Sequence, residues 1–164
     1  MSNSFSRKLD LEEARLVGYF DGACEPFNPG GLATGGWVIP ERSIAGCAAY
    51  GRGDGATNNV AEYRAAIDCL RAIYRIGWRG HVTLYGDSKL VVEQFSGRWR
   101  CNALCLRALL NRLRRGATFF KGVELKWVPR EKNVDADAMS KLGFERYAEA
   151  HGFKPGDFGK TRRR

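Results

Sequence analysis

The sequence predicts an α/β domain in which helices pack on both faces of a five-stranded mixed sheet. Three runs of strand character come first, with tight turns between them, and this order predicts an antiparallel meander. Later strands alternate with helical segments, which predicts that the last two strands pair in parallel. The element order, β β β α β α α β α, contains no repeat and no interior linker, and 164 residues suit one domain.

The three N-terminal strands are predicted from alternating side chains and from the turns that separate them. The first strand, 16–23, ends in the turn-rich stretch 25–31. The next two, 33–40 and 43–52, are separated by Pro40-Glu41-Arg42, which suits a hairpin.

The remaining elements follow from helical periodicity and from capping residues. The side chains of Thr57, Asn58 and Asn59 can cap a helix over 60–76, which Gly77 ends. The sequence then predicts a strand at 81–85, helices at 89–95 and 103–114, a strand at 121–128 and a helix at 134–150.

Composition and periodicity divide the chain into an N-terminal extension (1–15), a domain (16–150) and a flexible basic tail (151–164). The extension has no apolar core of the kind found in signal peptides, and no run approaches the length of a membrane helix. We therefore expect a soluble cytoplasmic protein with no membrane association. Met1 and the full set of elements favour a free-standing chain. The oligomeric state is open, with monomer as the default, and no protein partner is implied.

The cysteine pattern argues against a disulfide framework and against a zinc site. There are five cysteines, an odd number, and none forms a CxxC pair. Reduced thiols that serve as small apolar side chains are the simpler interpretation.

Basic residues are concentrated in two regions. Residues 98–132 hold ten Lys or Arg and two acids, and residues 151–164 hold five bases and one acid, within a net charge of +9. This separation from the acids is typical of a protein that holds a polyanion near a cation site. A solvated helix face followed by a basic tail is the alternative.

Four acidic residues lie where an acid is locally unexpected. Asp21 interrupts an apolar strand, a position that costs stability unless the charge is paired or binds a metal. Glu62 and Asp137 lie in the first turns of helices, and Asp87 lies at the carboxyl end of a strand. Taken singly, these three are explained as caps or as partners of a helix dipole.

Taken together, the motifs around these acids resemble type 1 ribonuclease H. They are YFDGAC with NPGG, then TNNVAE, LYGDS and REKNVDAD, in this order over residues 16–148. The resemblance implies a ribonuclease H-like fold with Asp21 on the central strand. It also implies that Asp21, Glu62, Asp87 and Asp137 are both the catalytic residues and the ligands of two Mg²⁺ ions, with Mn²⁺ as a substitute. Oxygen-only sites of this kind suit both metals.

The activity that the resemblance implies is endonucleolytic cleavage of the RNA strand of an RNA/DNA hybrid, leaving 5′-phosphate and 3′-hydroxyl ends. One metal ion would activate the attacking water and the other would stabilise the leaving oxygen. Four clustered carboxylates repel one another, so some should have raised pKa values in the absence of cations.

The resemblance also implies residues that contact the substrate. Small neutral groups would meet the RNA strand in the minor groove: Asn28, Asn58, Asn59 and the backbone near Gly22 and Cys24. Thr57 would bind a DNA phosphate, and helix capping is its alternative role. Further candidates beside the acidic motifs are Ser88, Lys89 and Asn133.

Trp99, flanked by Arg98 and Arg100, suits packing on a deoxyribose or base while the arginines bind phosphates. A core position for Trp99 is the alternative. Trp37, Trp78 and Trp127 are assigned to the core or its margin.

The chain departs from well-studied bacterial members of this family at three places. The long basic loop called the handle is missing, and the arginines at 107, 112, 114 and 115 are candidates to replace its grip. The loop before the last helix lacks a histidine, so Arg130 is the candidate for a phosphate or product contact. Lys89 replaces a common glutamine.

Two other functions remain open on the sequence. One is a module that binds hybrids with weak or no turnover; the presence of all four acids disfavours it, and the missing histidine keeps it open. The other is a DNA exonuclease or junction resolvase on the same scaffold, which the TNN and NPGG segments disfavour.

Overall fold

Residues 14–153 are described by the structure, a computed structural model, and they form five strands and four helices. The strands are β1 (Arg15–Glu25), β2 (Gly30–Ile39), β3 (Ile44–Gly53), β4 (His81–Gly86) and β5 (Gly122–Trp127). The helices are α1 (Asn58–Arg75), α2 (Lys89–Ser96), α3 (Leu104–Ala117) and α4 (Val134–Ala150).

The sheet has the strand order β3-β2-β1-β4-β5, which makes β1 central. Strand β2 pairs antiparallel with both β1 and β3, while β4 pairs in parallel with both β1 and β5. The predicted α/β fold with a mixed sheet is therefore confirmed. A short 3₁₀ turn, Pro40–Arg42, connects β2 to β3 where the hairpin was predicted.

Helices cover both faces of the sheet. Successive strand positions point to opposite faces, and two neighbouring glycines of β2 mark the two sides. A Cβ atom on Gly35 would meet Ala65 of α1, whereas one on Gly36 would meet Ser140 of α4. The main core lies on the α1 side, where α3 also packs, and its largest fully buried side chains include Tyr63 and Phe20.

Close backbone approach at Gly22 positions the first turn of α1 on the central strand. A Cβ atom on Gly22 would lie 2.2 Å from the backbone nitrogen of Glu62. A larger residue would push the helix away, so the absence of a side chain at this position brings Glu62 next to β1.

Side-chain caps set the starts of two helices. Thr57 Oγ1 accepts from the Val60 backbone N–H at 3.1 Å, and Ser88 Oγ accepts from that of Val91 at 3.4 Å. Helix α2 ends at Gly97, whose φ of 82° lies in the left-handed region that favours glycine. Residues 97–103 then connect α2 directly to α3, so the connection is short where a handle would lie.

The structure changes the predicted boundaries at both ends of the domain. Arg15, assigned to the extension, already pairs with His81 in the sheet. Phe153, assigned to the tail, donates its backbone N–H to Ala148 O at 2.8 Å, and its ring lies 4.7 Å from the Arg52 guanidinium carbon. The rest of both segments, 1–13 and 154–164, lies outside the described residues. Within residues 14–153, no helix has the length and apolar character needed to cross a membrane.

The packing at Gly36 predicts a large effect from one added methyl group. A Cβ atom there would lie 2.3 Å from the Ser140 backbone nitrogen, so Gly36→Ala forces α4 away from the sheet. We expect a loss of about 3 kcal/mol in the free energy of unfolding, measured by urea denaturation. Gly55→Ala is the matched control, because open space surrounds that position, and it should change stability by less than about 1 kcal/mol. Equal effects of the two substitutions would contradict this account of the sheet–helix contact.

Candidate active site

Three carboxylates from three different elements meet at the carboxyl end of the central strands. Asp21 lies on β1, Glu62 in the first turn of α1, and Asp87 directly after β4. Carboxylate oxygens of all three lie within 4.8 Å of one another. Residues separated by 66 positions in the chain thus form one acidic cluster.

Asp21 is buried on the central strand beside two other acids. Its side chain is 4% exposed. Burial, followed by the charges of Asp87 and Asp137, raises its pKa from 3.8 to about 6, although a hydrogen bond with Ser140 opposes the shift. In the absence of cations, Asp21 therefore gains a proton under mildly acidic conditions.

Glu62 is held even more strongly in its protonated form. Burial and the charges of Asp21 and Asp87 raise its pKa well above the ordinary value. A hydrogen bond from protonated Glu62 to the Asp87 carboxylate acts in the same direction. Its other oxygen, Oε2, is buried and has no hydrogen-bond partner among the described residues.

Asp137 is turned toward cationic side chains instead. Arg130 Nη2 donates to one of its oxygens at 2.9 Å, and Lys141 Nζ donates to the other at 2.6 Å. Partial burial opposes ionisation of Asp137, but the hydrogen bonds from Lys141 and Arg130 outweigh it and lower the pKa. Asp137 is near enough to raise the pKa of Asp21, yet it lies outside the three-carboxylate cluster.

The cluster has the chemistry of a site for a hard divalent cation. It lines a cavity of about 290 Å³ together with Asn58 and Arg130. Its donors are all oxygens, and the unpartnered Glu62 Oε2 and the raised pKa values mark charge that protein groups leave uncompensated. Cys24, which also lines the cavity, donates its thiol to the carbonyls of Phe27 and Ala56, so its sulfur is already engaged. These residues fit Mg²⁺ or Mn²⁺.

The residues expected to read RNA form a connected group beside this cavity. Asn58 Oδ1 accepts from the Cys24 backbone N–H at 2.7 Å, and Asn28 Oδ1 accepts from the Asn58 backbone N–H at 3.1 Å. These bonds use the oxygens of both amides, and no residue from 14 to 153 accepts a hydrogen bond from either NH₂ group. Asn59 is exposed in the same turn, and Thr57 caps α1 while remaining partly accessible.

Asn133 requires a correction, because the structure gives it an internal role. It was expected to contact substrate, but it is 1% exposed and its Nδ2 donates to Phe20 O at 2.8 Å. It therefore joins the start of α4 to β1. Ser88 serves as the cap of α2, and Lys89 is exposed at the first position of that helix.

The basic turn at 98–100 is exposed, and Trp99 does not belong to the core. The Trp99 side chain is 47% exposed and Arg100 is exposed beside it, while Arg98 forms an ion pair with Glu93. Two of the arginines proposed to replace the handle are used inside the fold. Arg114 donates to Gln94 O and Phe95 O, and Arg107 donates to Cys101 O and Asn102 O.

Sequence reasoning missed two residues at the site. Trp127 was assigned to the core or its margin, but it is 50% exposed and its Nε1 donates to the backbone carbonyl of Asp87 at 3.1 Å. The sequence signal that could have placed Trp127 near the site was its position at the end of β5, the strand that pairs with β4. Lys141 lies four residues after Asp137, a helical spacing that brings the two side chains together.

A mixed five-stranded sheet of this order, with acids gathered at the end of its central strand, defines a ribonuclease H-like domain. Comparison with known proteins gives the same class: a profile described as reverse transcriptase-like matches residues 19–143. The ribonuclease HI of Halobacterium salinarum is 41% identical over 127 residues, which cover 77% of this chain and 62% of that protein. The chain belongs to the ribonuclease H family.

Two solved structures support the assignment. The N-terminal RNase H domain of a Mycobacterium tuberculosis protein is 34% identical with a TM-score of 0.74, covering 85% of this chain and 99% of that domain. LC11-RNase H1, solved in complex with an RNA/DNA hybrid, is 25% identical with a TM-score of 0.71, covering 80% and 98%. The chain spans 26% of the length of the mycobacterial relative that it matches over 95 residues.

The raised pKa of Asp21 predicts that its charge destabilises the metal-free protein. Because the folded pKa is about 6 rather than 3.8, the stability linked to protonated Asp21 is complete below pH 3.8 and is lost as the pH rises through 6. Two pKa units correspond to about 3 kcal/mol. Asp21→Asn should therefore stabilise the protein by up to about this amount at pH 7.5, with little effect near pH 4, in urea unfolding with a chelator present.

Asp54→Asn is the control for this experiment, because Asp54 is an exposed acid outside the cluster. Its effect should be small at both pH values. If Asp21→Asn gave the same change at pH 4 and pH 7.5, repulsion within the cluster would not be its cause.

Proposed function

We propose that this chain is an endonuclease that hydrolyses the RNA strand of RNA/DNA hybrids with the help of two divalent cations, Mg²⁺ or Mn²⁺. The observation that carries the proposal is the acidic cluster of Asp21, Glu62 and Asp87, whose oxygens lie within 4.8 Å of one another in an open cavity. The hybrid complex of LC11-RNase H1, a relative with the same fold, supports hybrids as the substrate class.

Asp21, Glu62, Asp87 and Asp137 are the proposed metal ligands. When bound, two cations would activate water and stabilise the leaving 3′ oxygen, giving 5′-phosphate and 3′-hydroxyl products. To accept cations, Glu62 must release its proton. Asp137 must also give up at least one of its bonds to Arg130 and Lys141.

Hybrid recognition is assigned to the turn that precedes and begins α1. The free NH₂ groups of Asn28 and Asn58, next to the cavity, suit the 2′-hydroxyls that distinguish RNA from DNA. Thr57 can bind a phosphate of the DNA strand while its oxygen caps the helix. Exposed Trp99 and Arg100 are candidates for further contacts with the DNA backbone.

Asp21→Asn should remove cleavage while leaving hybrid binding intact. Loss of a metal ligand costs several kcal/mol of transition-state stabilisation, which corresponds to a fall in turnover of roughly a thousandfold or more. Cleavage is measured on a panel of hybrid, double-stranded RNA, double-stranded DNA and single-stranded RNA with Mg²⁺ or Mn²⁺, and hybrid binding is measured in Ca²⁺. Calorimetric titration with Mn²⁺ should show weaker binding by the variant.

The same panel separates the alternatives. Preference for double-stranded DNA would indicate a DNA nuclease on this scaffold, and binding without cleavage by the unaltered chain would indicate a hybrid-binding module. If Asp21→Asn abolished hybrid binding as well as cleavage, the residue would hold the binding surface together and its assignment as a metal ligand would fail.

Arg130 is proposed to contact the scissile phosphate or the product, because it lines the cavity and bonds Asp137. A charge-assisted contact is worth about 1.5 to 3 kcal/mol. Arg130→Ala should therefore weaken inhibition by a 5′-phosphorylated product roughly tenfold or more and lower turnover. Steady-state kinetics with added product measures both effects.

Lys141→Ala is the matched variant for Arg130, since Lys141 also bonds Asp137 but does not line the cavity. It should leave product inhibition unchanged. Equal effects of the two variants would mean that Arg130 acts only through Asp137, and an Arg130→Ala enzyme with unaltered turnover and inhibition would remove the residue from the mechanism.

A further inference from the structure

A second cavity, distant from the acidic cluster, lies between the carboxyl-terminal halves of α1 and α3. Its volume is about 360 Å³, and its walls are largely apolar: Leu70, Tyr74, Leu113, Phe119 and Phe120. We refer to it as the aromatic groove. Glu62 and Tyr74 are twelve residues apart on α1, so the groove lies roughly 18 Å along the helix from the acidic cluster.

The aromatic groove leaves large apolar surface uncovered within the described part of the chain. Phe119 is 59% exposed and Tyr74 is 41% exposed, although their rings contact each other at 5.3 Å. Adjacent exposed aromatic rings that line a concavity are typical of a docking surface.

Arginines surround this apolar surface. Arg71, Arg112 and Arg115 line the same cavity. Arg71 forms an ion pair with Asp68. Arg112 and Arg115 are exposed, and their guanidinium groups show no hydrogen bond or ion pair to any residue from 14 to 153. An occupant of the groove should therefore combine apolar side chains with negative charge.

We infer that the N-terminal segment of this same chain, residues 1–13, docks in the aromatic groove. Its sequence, MSNSFSRKLDLEE, places Leu9 and Leu11 among three acids, Asp10, Glu12 and Glu13. The segment also holds Arg7 and Lys8, so its negative charge is confined to residues 10–13. In the proposed arrangement these acids pair with the rim arginines, and the leucines supply the apolar contacts.

The place where the segment joins the domain supports this occupant. The carbonyl oxygen of Ala14 lies 3.4 Å from the position of a Cβ atom on Gly80. The preceding residue, Arg79, donates to Tyr74 O at 2.8 Å, and its guanidinium lies 3.5 Å from the centre of the Tyr74 ring. Arg79 O also accepts from the backbone N–H of Lys121, next to Phe120. The segment thus joins the domain next to Arg79, which contacts Tyr74 in the wall of the aromatic groove. Its acids lie within four residues of this point, a stretch that spans about 14 Å when extended.

The C-terminal segment, 154–164, is a poorer occupant on two grounds. Its charge is that of Lys154, Lys160 and three terminal arginines against one acid, so the rim arginines would repel it. It also begins at Phe153, whose ring lies on Arg52 of β3, at the opposite edge of the sheet from β5.

Amide hydrogen exchange of the full chain, read by mass spectrometry, tests the inference. Residues 9–13 should exchange at least tenfold more slowly than a synthetic peptide of residues 1–13. Arg112→Glu combined with Arg115→Glu should remove this protection and also speed exchange around 116–120. Adding Asp10→Lys, Glu12→Lys and Glu13→Lys to that variant should restore protection, because the charges are then complementary in the opposite sense.

Two further variants separate docking from general effects of charge and of folding. Arg75→Glu makes the same charge change on α1 at a residue outside the groove lining, and it should leave the exchange of residues 9–13 unchanged. Leu11→Asp alters the segment alone and should also remove protection.

Several results would overturn the inference. The inference fails if residues 9–13 exchange as fast as the free peptide. It also fails if their protection persists after the two arginine substitutions. Protection that increases with protein concentration would instead assign the groove to the segment of a second copy. Protection of 116–120 that appears only when hybrid is added in Ca²⁺ would assign the groove to nucleic acid.

Discussion

Mutual repulsion among buried carboxylates is the constraint on which this molecule depends. Asp21 is nearly inaccessible on the central strand, and Glu62 is brought against it because Gly22 lets α1 approach the backbone of β1. Burial and neighbouring charge favour the protonated form of both groups, so their ionisation is costly for the folded protein. The apolar core between α1, α3 and the sheet supplies the stability that tolerates it. Divalent cations would replace those protons and relieve the repulsion. The free energy that the repulsion costs the metal-free protein would then favour metal binding.

Asp137 shows a second way in which the chain handles this repulsion. Its two oxygens bond Arg130 and Lys141, so it stays ionised near Asp21 and does not need a proton. The site thus combines three acids that form no ion pair with any residue from 14 to 153 and a fourth that two cationic side chains already neutralise. This asymmetry implies that the cluster of Asp21, Glu62 and Asp87 is the better first cation site, and that occupancy involving Asp137 competes with two protein cations.

Most of the fold could be predicted because its determinants are local. The alternation in the three N-terminal strands, the caps at Thr57 and Ser88 and the glycines that end helices are all readable in sequence, and the structure has them. The four acids could be named from their motifs, but the partners of their side chains could not. The bonds from Arg130 and Lys141 to Asp137, and the burial of Asn133 against Phe20, depend on distances between elements that sequence spacing does not fix. Trp127 was misjudged for the same reason, since its exposure follows from its place on the edge strand β5.

The contacts of the arginines show why a basic region of the sequence does not by itself identify a nucleic-acid-binding surface. The stretch 98–132 suggested one surface for a polyanion, but the structure divides it into separate uses. Arg107 and Arg114 donate to backbone carbonyls at helix ends, Arg98 pairs with Glu93, and Arg130 bonds an acid at the site. Arg112 and Arg115, on α3, line the aromatic groove. The groove lies roughly 18 Å along α1 from the carboxylates. Side chains already bonded within the fold contribute little to binding phosphate, because that contact would first have to break an existing one. Fewer basic residues are therefore available to bind a nucleic acid than the net charge indicates. The proposed function relies correspondingly more on the exposed Trp99–Arg100 pair.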